Sequence, residues 1–220
     1  MTEHVAITTS GGVVRVCLAR PGKHNAITME MWMAIANGLD RAKADPDVRA
    51  LVITGEGGSF SAGADLKSIK DADGTPSAEY RAIALTGLTA IVDFPWPTLA
   101  RIDGHCMGAG VNIALACDVR FTTPGSTFAI PAARHGLVYD DWSIARLVEL
   151  TGSGQASRLL YSGVTIDGRE AARIGLAELC ADDLPAAADA YLAAVLSGNA
   201  DSITSMRARI RGETHGRHHT

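Results

Sequence analysis

A short apolar strand, then a run of small residues, then a helical pattern occurs twice in this chain, about fifty residues apart, and few architectures accommodate both copies. The first strand is "ALVITG", residues 50 to 55, a continuous apolar run of the kind a strand buried on both faces shows. It leads to "FSAGADLKSI", residues 60 to 69, where Ser61, Ala62, Gly63 and Ala64 precede an aspartate and a helix-like run. The second strand lies in "PTLARIDG", residues 97 to 104, and leads to "MGAGVNIALACD", residues 107 to 118, a small-residue helix running on into "VRFTT". This alternation predicts an α/β layered fold rather than an all-α one.

The flanking pattern agrees. Val13, Val14, Val16 and Leu18 make a β-rich run stopped by the turn "RPGK". Thr28 is placed to cap a helix carrying Met29, Met33, Ala36, Leu39 and Ala42 at three- and four-residue steps, which ends at Asp45-Pro46. From Trp142 the strand signals fade and helical patterns run to Ala208, with Gly152, Gly163 and Gly175 each expected as a left-handed helix cap. The expected division is a core over 1–141, a helical C-terminal region over 142–211 and a polar, disordered tail over 212–220. The histidines of that tail read as a solvated end, not a metal site.

With 220 residues, 47% of them apolar, the chain can bury one substantial core. The net charge of -4 and the absence of a basic block argue against a nucleic-acid partner. Arg207, Arg209 and Arg211 alternate and read as a solvated helix face. Cys17, Cys106, Cys117 and Cys180 are widely spaced, without a C-x-x-C pair, and are expected as buried free thiols in a reducing compartment. The start "MTEHVAITTSGG" has no signal-peptide pattern, and no stretch approaches the ~18 apolar residues of a membrane span. A cytoplasmic protein without a bound metal is expected.

Each small-residue turn is expected to deliver the first, unpaired N–H groups of a helix to a place no bulky side chain blocks. A pair of such donors would suit a carbonyl oxygen that gains negative charge during reaction. Downstream, in "GLVYDDWS", Asp140 is a candidate proton carrier, and Asp141, immediately before "WSIARL", is the expected N-cap. His135 reads as scaffolding. Phe94, Trp96, Phe128, Tyr139 and Trp142 are candidate pocket walls.

In this order and spacing, "RPGKHNAI", "GSFSAGADLKSI" and "DGHCMGAGVNIALACD" resemble the crotonase superfamily of enoyl-CoA hydratases and isomerases, over nearly the whole chain. The resemblance implies a spiral of repeated strand-strand-helix units with a C-terminal helical region used for assembly into trimers or dimers of trimers. It also implies an acyl-CoA or enoyl-CoA ligand, the thioester oxygen in an oxyanion hole, a place in fatty acid metabolism, and no cofactor beyond the coenzyme A thioester itself. By motif position the donors are the amides of Ala64 and Ala109, where relatives usually have glycine at the second position. Ala62 and Gly108 flank them. Ala64, Asp65, Leu66 and Lys67 would line the CoA site, and the loop around Lys23 and Ala26 would touch its nucleotide end.

Family hydratases use two glutamates near the thioester, one to activate water and one to protonate carbon. At the matching positions this chain has Asn112 and Ala132. The stretch "GLVYDDWSIARL" resembles a mycobacterial hydratase-like subgroup that lacks both glutamates. Three readings stay open: an acyl-CoA binding protein, an active hydratase or isomerase using Asp140, and a structural subunit that mixes into trimers of active relatives. The chain also stops sooner than typical relatives, which bears on assembly and on closure over CoA.

Overall fold

The computed structural model of the chain describes residues 4–65, 67, 69–70 and 77–212. Leu66 and the tail from 213 lie outside the described residues. The hairpin of β1 (Val5–Ser10) and β2 (Val13–Leu18) is followed by α1 (Met29–Lys43), β3 (Ala50–Gly55), α2 (Ala78–Val92) and β4 (Thr98–Ile102). Next come β5 (His105–Met107), α3 (Ala109–Ala116), β6 (Val119–Thr122) and β7 (Thr127–Ala129). The last third holds α4 (Asp141–Ser162), β8 (Ile166–Asp167), α5 (Gly168–Arg173), β9 (Leu179–Cys180), α6 (Leu184–Ser197) and α7 (Ala200–Ile210).

Two sheets carry the fold. The larger has the order β1-β2-β3-β4-β6-β9 and is parallel except for the β1–β2 hairpin. The smaller has the order β5-β7-β8. Strand β3 shows why its sequence is apolar throughout. Side chains alternate across a strand, so Leu51 and Ile53 enter the main core with α1 and α3, while Ala50 and Val52 enter a second core against Leu184, Ala188 and Leu192 of α6.

Helix α1 begins as its sequence predicts, the Thr28 hydroxyl accepting from the Met31 N–H at 3.3 Å. Its buried stripe is Met31, Trp32, Ile35, Ala36, Leu39 and Ala42, so Met33 is 51% exposed instead of lying on the apolar face. The offset follows from α2, which was not among the expected elements. Gly87 of α2 sits so close to Trp32 that a β-carbon there would lie 2.5 Å from the indole.

Other expectations need correction. Gly152 does break the helix, separating two helical segments within α4, but with φ 76° and ψ 157° it is not a left-handed cap; Gly163 ends the second segment in the left-handed region. Gly175 follows the end of α5 with φ 83°, and the Leu176 and Gly175 amides close the turn onto Ala171 and Ala172. Short strands persist beyond Trp142, since β8 and β9 extend the two sheets. Cys106 and Cys117 are buried free thiols, but Cys17 and Cys180 are only half-buried. Among the described residues, no helix is long and apolar enough to cross a membrane.

Arg207 and Arg211 do not form a solvated face. The Asp118 carboxylate accepts from Arg207 Nε at 2.8 Å on one oxygen and from Arg211 Nε at 2.8 Å on the other, and both guanidinium groups also donate to the Val92 carbonyl. Asp118 further accepts from the Thr98 amide and hydroxyl. Burial alone would raise its pKa, but the charges of Arg207 and Arg211 outweigh burial and hold it below the usual carboxylate range. A depressed carboxylate pKa contributes stability above the unfolded value of about 4, lost as pH falls through the folded value. Asp118→Asn is therefore expected to cost roughly 2–4 kcal/mol in urea unfolding at pH 7. The gap from wild type should close in acid, and a gap that stayed constant down to pH 3 would contradict the charge argument.

Candidate functional site

The site is built from backbone pairing between three segments. The Ser61 amide donates to the His105 carbonyl at 2.7 Å and the Met107 amide returns to the Ser61 carbonyl at 2.8 Å. On the other side, the Ile27 amide donates to the Gly63 carbonyl at 2.7 Å and the Asp65 amide to the Ile27 carbonyl at 2.9 Å. In a parallel pairing of this kind the bonds to Ile27 come from the residues on either side of Ala64. The Ala64 N–H therefore points away from Ile27, and it has no acceptor among the described residues.

No helix follows Ala64 among the described residues 65 to 70, contrary to expectation, so this amide is freed by strand geometry rather than by a helix start. The second turn does open a helix. Gly108, with φ 47° and ψ -115°, is the N-cap of α3, and the first amide to close a helical bond is that of Asn112, onto the Gly108 carbonyl at 3.2 Å. The Ala109 N–H is left without an acceptor among the described residues. The two turns touch: a β-carbon on Gly63 would lie 3.5 Å from the Ala109 nitrogen and 2.9 Å from the Met107 carbonyl oxygen.

Ala62, Gly63, Ala64, Gly108 and Ala109 form one wall of a cavity of about 580 Å³. Asn112 and Ala132, expected from the resemblance at the two glutamate positions, both line it. The Oδ1 atom of Asn112 is buried with no hydrogen-bond partner among the described residues. The remaining walls are mostly apolar and include Trp32, Ile69, Tyr80, Leu85, Leu88, Leu137 and Val138. Trp32 Nε1 donates to the Tyr80 hydroxyl at 3.0 Å, which ties α1 to α2 at the cavity.

Of the expected aromatic walls, only Tyr139 lines this cavity. Phe94 and Phe128 are core residues, Trp96 lies under Arg49 at 4.8 Å, and Trp142 borders a separate groove with Arg146 and Met206. The wall residues Trp32, Tyr80, Leu85 and Leu88 were not anticipated. Ser77 followed by Glu79 and an apolar run was the signal available for α2, and the Ser77 hydroxyl does cap it, accepting from the Tyr80 amide.

Lys23, Ala26, Asp65 and Lys67 do not line the cavity. Both lysines are exposed. Asp65 is held by Arg20 at 2.6 Å, which also donates to the Ala26 carbonyl at 3.1 Å, clamping the 23–26 loop to the Ala64 segment. The hydrogen bond from Arg20 is the main reason the Asp65 carboxyl sits below its usual range. Asn25 anchors the same loop from inside. It is buried with φ 56°, accepts from the Arg20 amide, and donates to the Glu56 and Ser59 carbonyls. Asp140 borders the cavity, but it, not Asp141, is the N-cap of α4. Its Oδ1 accepts from the Ser143 amide at 2.9 Å and its Oδ2 from the Ser143 hydroxyl at 2.8 Å. Asp141 is instead the first residue of the helix.

The mixed α/β core, with two amides that lack acceptors among the described residues bordering one cavity, is that of the crotonase fold. Residues 8–210 match the family described as enoyl-CoA hydratase/isomerase, to which the chain belongs. Among curated relatives, the protein named "Probable enoyl-CoA hydratase EchA14" of Mycobacterium tuberculosis is 34% identical over 95% of this chain and 82% of its own length. Carnitinyl-CoA dehydratase of Proteus mirabilis is 33% identical over 80% of this chain and 67% of its own. Among solved structures, an enoyl-CoA hydratase/isomerase family protein from Hyphomonas neptunium superposes with a TM-score of 0.89 at 28% identity, covering 98% of this chain and 84% of that one. A hydratase-type protein from Thermobifida fusca YX, solved in complex with CoA, gives 0.83 at 32% identity, covering 97% of this chain and 86% of that one.

Gly63, at φ 100°, occupies a conformation L-residues rarely adopt, and a methyl there would meet the Met107 carbonyl. Gly63→Ala is expected to lower stability by about 1–3 kcal/mol in denaturant unfolding. An unchanged midpoint would mean that the pairing of the two turns tolerates the movement denied to it here.

Proposed function

We propose that the protein binds acyl-CoA or enoyl-CoA thioesters, holding the thioester oxygen between the amides of Ala64 and Ala109, and that it does not act as a two-glutamate hydratase. The observation that carries this reading is the pair of unpartnered N–H groups bordering one cavity. The apolar walls suit an acyl chain, and the unpaired Asn112 oxygen suits a donor on the ligand or a held water. Support for coenzyme A comes from family membership and from the CoA complex of the Thermobifida fusca homologue. Asn112 cannot exchange a proton and Ala132 has no functional group. With each acid–base group worth about 10² to 10⁴ in rate, little hydration of a conjugated thioester is expected. Assembly into trimers or dimers of trimers belongs to the same proposal.

The second reading is an isomerase or hydratase that moves a proton through Asp140. The position of Asp140 on the cavity wall favours it. Its two bonds to Ser143 oppose it, because a proton on either oxygen would compete with the cap of α4.

Calorimetry with saturated acyl-CoAs of increasing length is expected to show binding stronger than that of CoA alone and to report the depth of the cavity. With crotonyl-CoA, loss of the conjugated thioester absorbance should stay near background for wild type. The double variant Asn112→Glu, Ala132→Glu should gain at least about 10²-fold. Ordinary enzymatic turnover by wild type would overturn the binding-only reading. Should 3-enoyl-CoA be isomerised, Asp140→Asn, which keeps an oxygen for the helix cap, separates a chemical role from a structural one.

A further inference from the structure

Tyr139 lies immediately before the Asp140 cap of α4, on the cavity wall, and its hydroxyl donates to the Gly108 carbonyl at 2.6 Å. That distance is at the short end for an O–H···O bond. The Gly108 carbonyl belongs to the peptide whose nitrogen is the Ala109 N–H. In a trans peptide the C=O and the N–H point to opposite sides, so a donor gripping the oxygen fixes where the hydrogen points. The grip also acts electronically. Donation to a carbonyl polarises the peptide and strengthens the hydrogen bond its N–H makes, by roughly 10–30% per bond in a linked chain.

We propose that Tyr139 is a positioning residue for the oxyanion hole: its hydroxyl holds the Gly108–Ala109 peptide so that the Ala109 N–H is aimed at, and polarised toward, the oxygen of a bound thioester. The inference rests on the thioester reading above and adds the device that sets the strength of one of its two donors. The Gly108 oxygen has room for both of its donors, Tyr139 on one lone pair and the Asn112 amide on the other. Gly108 itself, at φ 47°, is held on its other side by its amide, which donates to the Ala129 carbonyl at 3.0 Å, and Tyr139 adds the side-chain tether where the peptide turns into α3. Burial, with the nearby Cys106 and Asp140 adding to it, pushes the Tyr139 phenol well above its ordinary pKa. The group therefore remains a donor across the whole working pH range. The second amide, that of Ala64, is held by the backbone instead of a side chain: the Gly63 carbonyl of its peptide accepts from the Ile27 amide at 2.7 Å.

The test compares wild type with Tyr139→Phe using cinnamoyl-CoA, a conjugated thioester whose absorption moves to the red when its carbonyl oxygen is polarised. Wild type should shift the band and bind the thioester more tightly than free CoA. Tyr139→Phe should lose about half of that red shift and bind the thioester three- to tenfold more weakly, with its affinity for free CoA unchanged. A ligand-free arm follows the Gly108 carbonyl carbon and Ala109 amide resonances by NMR, which should both move in the variant. Site-specific fluorotyrosine at position 139, a stronger donor, should increase the red shift and serves as the second variant should the phenylalanine chain fold poorly. Retention of the red shift and of the Gly108 and Ala109 resonances in Tyr139→Phe would overturn the role given to Tyr139. Failure of wild type to bind or shift the thioester, with the two resonances still responding to the variant, would instead overturn the thioester reading on which that role rests.

Discussion

Everything in the site depends on how the chain pairs its backbone around residues 61 to 65. Ser61 is hydrogen-bonded to His105 and Met107, and Gly63 and Asp65 are hydrogen-bonded to Ile27. Once those bonds form, the direction of the Ala64 amide is no longer free, because neighbours in an extended segment alternate sides. The same pairing sets the spacing to the second turn. A β-carbon on Gly110 would fall 2.9 Å from the Ser61 carbonyl, and one on Gly104 would fall 2.0 Å from that of Gly58. The small residues of both turns thus follow from close backbone approach. The open space before the amides is a consequence of that approach.

The cavity differs from an acid–base site in the kind of polar group it presents. Its lining includes the Ala64 and Ala109 amides, the Asn112 oxygen that has no partner among the described residues, a carboxylate committed to the cap of α4, and the side chains of Arg81 and His135. Amide donors polarise a thioester carbonyl whether or not a reaction follows. Rate enhancement needs interactions that grow toward the transition state, and proton transfer is the usual source of them in this chemistry. The binding reading proposed above rests on that difference between donors that hold a carbonyl and groups that exchange its protons.

Local signals made much of this legible. The Thr28 cap, the two-faced strand β3 and the small-residue start of α3 each depend on residues within a few positions of one another, and all three stand where the sequence places them. The misreadings differ in cause, and two of them needed a partner that sequence proximity cannot supply. Asp140 and Asp141 both precede a helix, and only the position of Ser143 three residues after Asp140 decides which one caps it. Arg207 and Arg211 look like a solvated face because Asp118 is 89 and 93 residues away. The cavity wall was missed because nothing near Trp32 and Leu88 in the sequence singles them out until α2 is laid against α1. The helix expected after Ala64 was inferred from small residues followed by a helix-like run, yet small residues serve strand pairing equally well.

The two ends of α3 show how stability and binding are kept apart. A helix leaves unpaired carbonyls at its C-terminus and unpaired amides at its N-terminus, and both must find partners. At the C-terminal end the partners are built in: Arg120 donates to the Ala114 and Cys117 carbonyls, and Arg211 donates to that of Ala116. These cations also match the partial negative charge of that end, and Arg120 is itself held by Glu178 and the Leu176 carbonyl. Nothing equivalent completes the N-terminal end, where the Ala109 amide has no acceptor among the described residues and the nearest ordered contact, Tyr139, grips the preceding carbonyl instead. A helix whose C-terminus is satisfied by the buried charges of Arg120 and Arg211 can leave its N-terminus open without losing its place in the core. The arginines that look like surface decoration in the sequence are thus part of what allows an unpaired donor to face the cavity.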